Sequence, residues 1–163
     1  MTKSTTNLLD GFRRFLGLPP KDKVLVFRAS ILLLRYSLFL PRRRFSDLTS
    51  HLEHFECLPE AQELSQEQLA RARSMGAWVA RLAIVRGLNA SCLIQVMVLQ
   101  RLLEREEIPG FICIGVRHCE EFSGSDMFSA HAWLQCGEEV VNGGPDCSIF
   151  RVMSAYRWPV ANG

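Results

Sequence analysis

Two side chains have the types and spacing that acyl-transfer chemistry needs: Cys92 and, 39 residues later, His131. A cysteine attacks as its thiolate. The thiolate is favoured where a helix begins, because the first-turn amides lack intrahelical acceptors and the dipole turns its positive end there. Cys92 falls in the first turn of an expected helix, with Asn89 as its candidate cap and a nearly all-apolar run, 93–103, behind it. His131, within Ala130-His131-Ala132-Trp133-Leu134, falls near the start of an expected strand. A strand that follows a loop can carry its imidazole back to the helix N-terminus, which is the relation a Cys–His couple requires. A third group should then hold the imidazole. If the hairpin turns at Cys136-Gly137, Gln135 pairs with Glu138, and counting back puts His131 opposite Asn142 on the same face. Asp146, just past Gly143-Gly144-Pro145, can serve the same purpose with a charge. Both residues stand as candidates.

The elements that must position these groups can be read from hydrophobic spacing. Residues 1–19 form an N-terminal arm with a possible short helix over 8–16, ending in Gly17-Leu18-Pro19-Pro20. Pro20 suits a first helical turn, so a helix is expected over 21–40, stopped by Pro41. A short amphipathic helix is expected over 46–55, then a surface connection over 57–64. Ser65-Gln66-Glu67-Gln68 is a capping box ahead of a long helix to 86, with Met75, Trp78, Val79, Leu82 and Val85 on its core face. Gly87 marks its end. The helix opened by Cys92 is apolar on all sides, which describes a central buried helix. Strands are expected over 111–116, 128–136 and 138–142, with a polar loop at 118–126 and a turn at Gly137. The stretch 146–156 reads as a final helix or irregular segment. Helices followed by a small antiparallel sheet make an α+β fold, one compact domain with a helical part over 20–86 and a catalytic part over 87–163.

Ser91-Cys92-Leu93, the helix behind it, Ile114-Gly115-Val116, Ala130-His131-Ala132-Trp133, Gly137 and Val140-Val141-Asn142 together resemble the transglutaminase-like cysteine-peptidase superfamily. Within it, the chain is most similar to the lasso-peptide leader peptidases, the stand-alone peptidase half of a split maturation protease. The helix over 21–40 and the Pro41-Arg42-Arg43-Arg44 that follows extend the likeness to roughly residues 20–156. The resemblance implies a transglutaminase- or papain-like core, Cys92 as nucleophile and His131 as general base. It also implies an aspartate about a dozen residues after the histidine, where this chain reads Asn142-Gly143-Gly144-Pro145-Asp146. The implied reaction removes the leader from a ribosomally made precursor peptide, freeing an amine for a separate ATP-dependent macrocyclase. The implied partners are the precursor's leader and a separate leader-binding protein, because the chain is too short before residue 20 to hold such a module. The Cys92 amide and one further donor would hold the oxyanion.

Composition narrows the classes. Hydrophobic residues make 48% and charged ones 22%, so a folded domain is expected rather than a disordered chain. A net charge of +2 gives no bulk case for nucleic acid. The apolar run 24–40 contains Arg28 and Arg35 and is too short to span a bilayer. No signal-peptide layout opens the chain, so a cytoplasmic protein with free thiols is expected despite six cysteines. No cofactor motif is present: there is no phosphate-binding glycine loop and no Cys-x-x-Cys. Two rivals remain. One is a zinc site drawn from His118, Cys119, His131, Cys136, Asp146 and Cys147, whose spacings match no regular pattern. The other is a catalytically inactive transglutaminase-like binding protein. Trp133 and Phe128 are candidate substrate-binding residues, Phe111 and Phe122 candidate cleft walls, and the loop 118–126 a candidate lid. His51 and His54 share a helical face without a third ligand. Exposed Leu or Phe on the helix over 21–40, or the Arg42–Arg44 triplet, are candidate partner surfaces.

Overall fold

The computed structural model describes residues 17–39, 45–84, 90–120 and 126–159, with backbone alone at 118–120, 126–127 and 145–146. Residues 1–16 of the expected arm, the Arg42–Arg44 triplet, Val85, Gly87, Asn89 and Phe122 lie outside the described residues. Helix α1, Pro20–Phe39, opens on proline, where the missing N–H costs no hydrogen bond. It buries Leu25, Val26, Ala29 and Leu33. Helix α2 covers only Phe45–Thr49, which corrects the expectation of one helix over 46–55. The Thr49 hydroxyl donates to the Phe45 carbonyl (3.1 Å) and the Leu52 amide to the Thr49 carbonyl (2.9 Å). The turn closes there, and the chain runs on extended as strand β1, Glu53–Phe55.

Helix α3, Gln66–Ala83, carries the expected capping box: the Gln68 amide donates to the Ser65 hydroxyl, and the Ser65 amide to the Gln68 side chain. Helix α4, Cys92–Arg105, is capped by Ser91 rather than Asn89, since the Ser91 hydroxyl accepts the Ile94 amide (3.4 Å). It packs against α1, α3 and the sheet, and Ile94, Val96–Gln100, Leu102 and Leu103 are all buried, as its all-round apolar surface predicts.

The remaining strands are β2 (Phe111–Glu120), β3 (Asp126–Cys136), β4 (Glu139–Asn142) and β5 (Arg151–Arg157). The sheet is antiparallel throughout, in the order β1-β5-β2-β3-β4. The expectation for 146–156 is corrected: a 3₁₀ turn, Pro145–Ile149, gives way to β5, which pairs with both β1 and β2. The expected loop is shortened to match, because β2 runs to Glu120 and β3 starts at Asp126. Alternation along β3 sends Ala132, Leu134 and Cys136 into the main core with the helices. Trp133 turns the other way, into a small second core with Phe111 and Cys113, packed by Cys147, Phe150 and Val152. Trp158 closes the main core, its indole donating to the Ile108 carbonyl at 3.1 Å. The architecture is α+β. No helix among the described residues is long and apolar enough to cross a membrane.

Candidate active site

Cys92 is the first residue of α4 and half-buried. The segment before it is pinned: Gln95 bonds the Ser91 carbonyl through its amide (3.0 Å) and the Ala90 carbonyl through its side chain (3.1 Å). Ser91 occupies the Ile94 amide, and the first-turn amides ahead of it have no intrahelical acceptor. Cys92 and Gln95 open onto a cavity of about 620 Å³, which His131, Asn142, Gly143 and Cys147 also line. Small residues of α3, Gly76, Ala77 and Ala80, form its opposite wall. At Gly76 the reason is steric, because a Cβ there would overlap the Val141 carbonyl of β4. Arg73, at the cavity rim, is bound by Glu139, whose carboxyl is held below its ordinary range by hydrogen bonding to that guanidinium.

His131 reaches the cavity because β4 ends early. Cys136 pairs with Glu139 and Gln135 with Val140, so the two-residue turn is Gly137-Glu138, with Gly137 at φ +58°. A bulge then sets Leu134 opposite Asn142, where β4 stops. Beyond it the chain crosses the edge of β3 at Gly143, packed so closely on Trp133 that any Cβ would overlap that side chain. Gly143 also holds φ +120°, a conformation glycine alone adopts freely. Its carbonyl oxygen lies 2.7 Å from His131 Nε2. A carbonyl only accepts, so Nε2 carries the proton and Nδ1 is the free basic nitrogen of the neutral ring. Phe150 lies against the imidazole at 5.0 Å and Trp133 stacks at 6.2 Å with 20° between the planes, so two aromatic rings pack on it.

The register corrects the pairing expected between His131 and Asn142. Asn142 does not face His131: it pairs with Leu134, on the opposite face by alternation. It lines the cavity instead, 6% exposed, with its Oδ1 buried and lacking a hydrogen-bond partner among the described residues. Asp146 lies in the 3₁₀ turn, its side chain outside the described part. Trp133, 4% exposed, packs in the second core beside His131 and does not line the cavity. Phe128 is 70% exposed on β3 and is also absent from the lining. Sequence reasoning missed Gln95, although its place one turn after Cys92 put it on the same helix face. It also missed Cys147 as a cavity residue and Gly143 as an acceptor; a backbone carbonyl carries no side-chain signal.

Of the zinc set, His118, Cys119 and Asp146 have side chains outside the described part. Cys136 lies in the main core, on the face opposite His131, and no three metal-binding side chains gather among the described residues. Cys57, Cys92, Cys113, Cys136 and Cys147 are free thiols. Burial pushes Cys113 and Cys136 up to about 12, which leaves them inert at neutral pH. His54 lies against Tyr156 at 5.0 Å, and His51 is lowered by burial and by Arg101; neither borders the cavity.

Residues 32–155 match the family model described as the transglutaminase-like superfamily, a span that runs from the middle of α1 into β5 and includes Cys92, His131 and Gly143. No curated protein and no solved structure gives a match. With more than half of its length covered by that model, the chain belongs to the transglutaminase-like superfamily.

Proposed function

We propose that the protein is a cysteine peptidase that removes the leader from a ribosomally made precursor peptide, as in lasso-peptide maturation. The observation that carries the reading is one cavity lined by a helix-opening cysteine and a histidine whose Nε2 is tied to a backbone carbonyl. In this mechanism His131 Nδ1 takes the Cys92 proton, and the Cys92 sulfur attacks the scissile carbonyl carbon. The oxyanion is held by the first-turn amides of α4. As the C–N bond breaks, the imidazolium returns its proton to the leaving amine. Water, deprotonated by His131, then hydrolyses the thioester and frees the Cys92 thiol. Asn142 Oδ1 offers an acceptor to an N–H of the bound peptide. The reading includes a separate leader-binding protein that presents the precursor.

The inactive binding protein stays as the second reading for one reason: His131 is oriented by a neutral carbonyl, which stabilises an imidazolium less than a carboxylate does. Mass spectrometry of a precursor peptide incubated with the protein and its leader-binding partner, with Cys92→Ala in parallel, separates the two. A leader-sized mass loss with wild type alone supports the peptidase. No loss with either, while the precursor is still bound, leaves the binding role.

A further inference from the structure

Helix α1 carries two apolar faces, and the core covers one. Val24, Phe27, Ile31 and Leu34 are 48%, 64%, 49% and 53% exposed. Steps of three, four and three describe a narrow heptad seam rather than the wider stripe of a core-packed helix. At about 100° per residue, the seam lies opposite Leu25, Ala29 and Leu33, which pack inward. Arg28 and Arg35 border it on one side, with Lys23 and Ser30 on the other. The single acidic residue of α1, Asp22, is turned away to Arg71 at 3.2 Å.

We propose that this seam docks an amphipathic helix of a separate protein, with apolar residues at the same three-and-four spacing and acidic side chains beside them. The charge pattern selects that occupant. A second copy of this chain would set Arg28 against Arg35 in an antiparallel pair, and Arg28 against Lys23 with Arg35 against Ser30 in a parallel one; neither orientation gains an ion pair, and like charges across a helix pair oppose association. A partner with Glu or Asp at those flanks turns the same positions into attractions. The narrowness of the seam suits a helix better than a bilayer surface, into which a broader apolar face would sink. The surface does not depend on the peptidase reading, and its test needs no catalysis.

The test titrates the full-length protein with a labelled synthetic helix of three heptads, Leu at the seam positions and Glu at the flanks, against a counterpart with Lys at the flanks. The Glu peptide is expected to bind about tenfold more tightly than the Lys peptide, the gap narrowing with salt. Phe27→Asp with Leu34→Asp should abolish binding while circular dichroism stays unchanged. Arg28→Glu with Arg35→Glu should reverse the preference between peptides, a gain that misfolding does not produce. Absence of binding, equal affinity for the two peptides, or no reversal overturns the proposal. So does a dimer seen by sedimentation, or adsorption to phosphatidylglycerol vesicles, that Phe27→Asp removes.

Discussion

Gly143 does two things no other residue type does at that position: it holds φ +120° against Trp133 and presents its carbonyl to His131 Nε2. Gly143→Ala should therefore cost about 2–3 kcal/mol in urea unfolding, from strain and overlap together. Its kcat should fall on the order of a hundredfold with KM little changed, because the imidazole loses its anchor rather than the peptide its site. Asn142 should behave oppositely. Since it faces away from His131, Asn142→Ala should raise KM and leave kcat within a few-fold; a large loss of kcat alone would mean that it orients the histidine after all. The places of Cys92 at a helix start and of His131 on a strand were legible in the sequence, because apolar spacing marks the elements that carry them. Their anchor was not, because a one-residue bulge at Leu134 shifts everything beyond it and a backbone acceptor leaves no mark in residue type.

Among the elements, the contact that shapes the cavity is α3 against β4. Gly76 lets the Val141 carbonyl approach the helix, so Gly76→Ala must push β4 and the Asn142-Gly143 segment outward. Activity and thermal stability should fall together, whereas Ala77→Ser on the same wall should change stability by less than about 0.5 kcal/mol. Helices α1, α3 and α4 could be read with their ends nearly right, since proline, a capping box and continuous apolar spacing each have a local cause. Strand β5 could not. Arg151-Val152-Met153-Ser154-Ala155-Tyr156-Arg157 sits between β1 and β2, and only Ala155 is buried. Its strand character comes from ladder bonds on both edges, not from an apolar alternation visible in the sequence. The three-residue β1 exists for the same reason, paired with β5 and tied by the Glu53–Arg157 ion pair.

As a whole molecule the chain is a main core built around α4, a second core beneath the 3₁₀ turn, and a cavity at the edge where the two meet. One thiol from each core, Cys136 and Cys113, is held neutral by burial up to about 12 instead of 9.0. The unfolded chain loses those protons first, so their contribution is complete below pH 9 and is lost as pH rises towards 12, about 1 kcal/mol per thiol at pH 10. Urea unfolding at pH 7 and pH 10 should show that loss, and Cys113→Ala should show less of it. The α+β class follows from the order of helices and strands, while the joining of the cores at one edge depends on the β3–β4 bulge and on Gly143. That edge places two half-buried thiols, Cys92 and Cys147, on one cavity with one histidine, and in the proposed mechanism Cys92 alone carries the chemistry. The direct test is to quench the protein in acid during reaction with an activated peptide thioester and to map the acyl adduct by mass spectrometry. An adduct on Cys92 is expected, lost in Cys92→Ala and formed much more slowly in His131→Ala; an adduct on Cys147, or one on Cys92 that forms as fast without His131, would contradict the proposed mechanism.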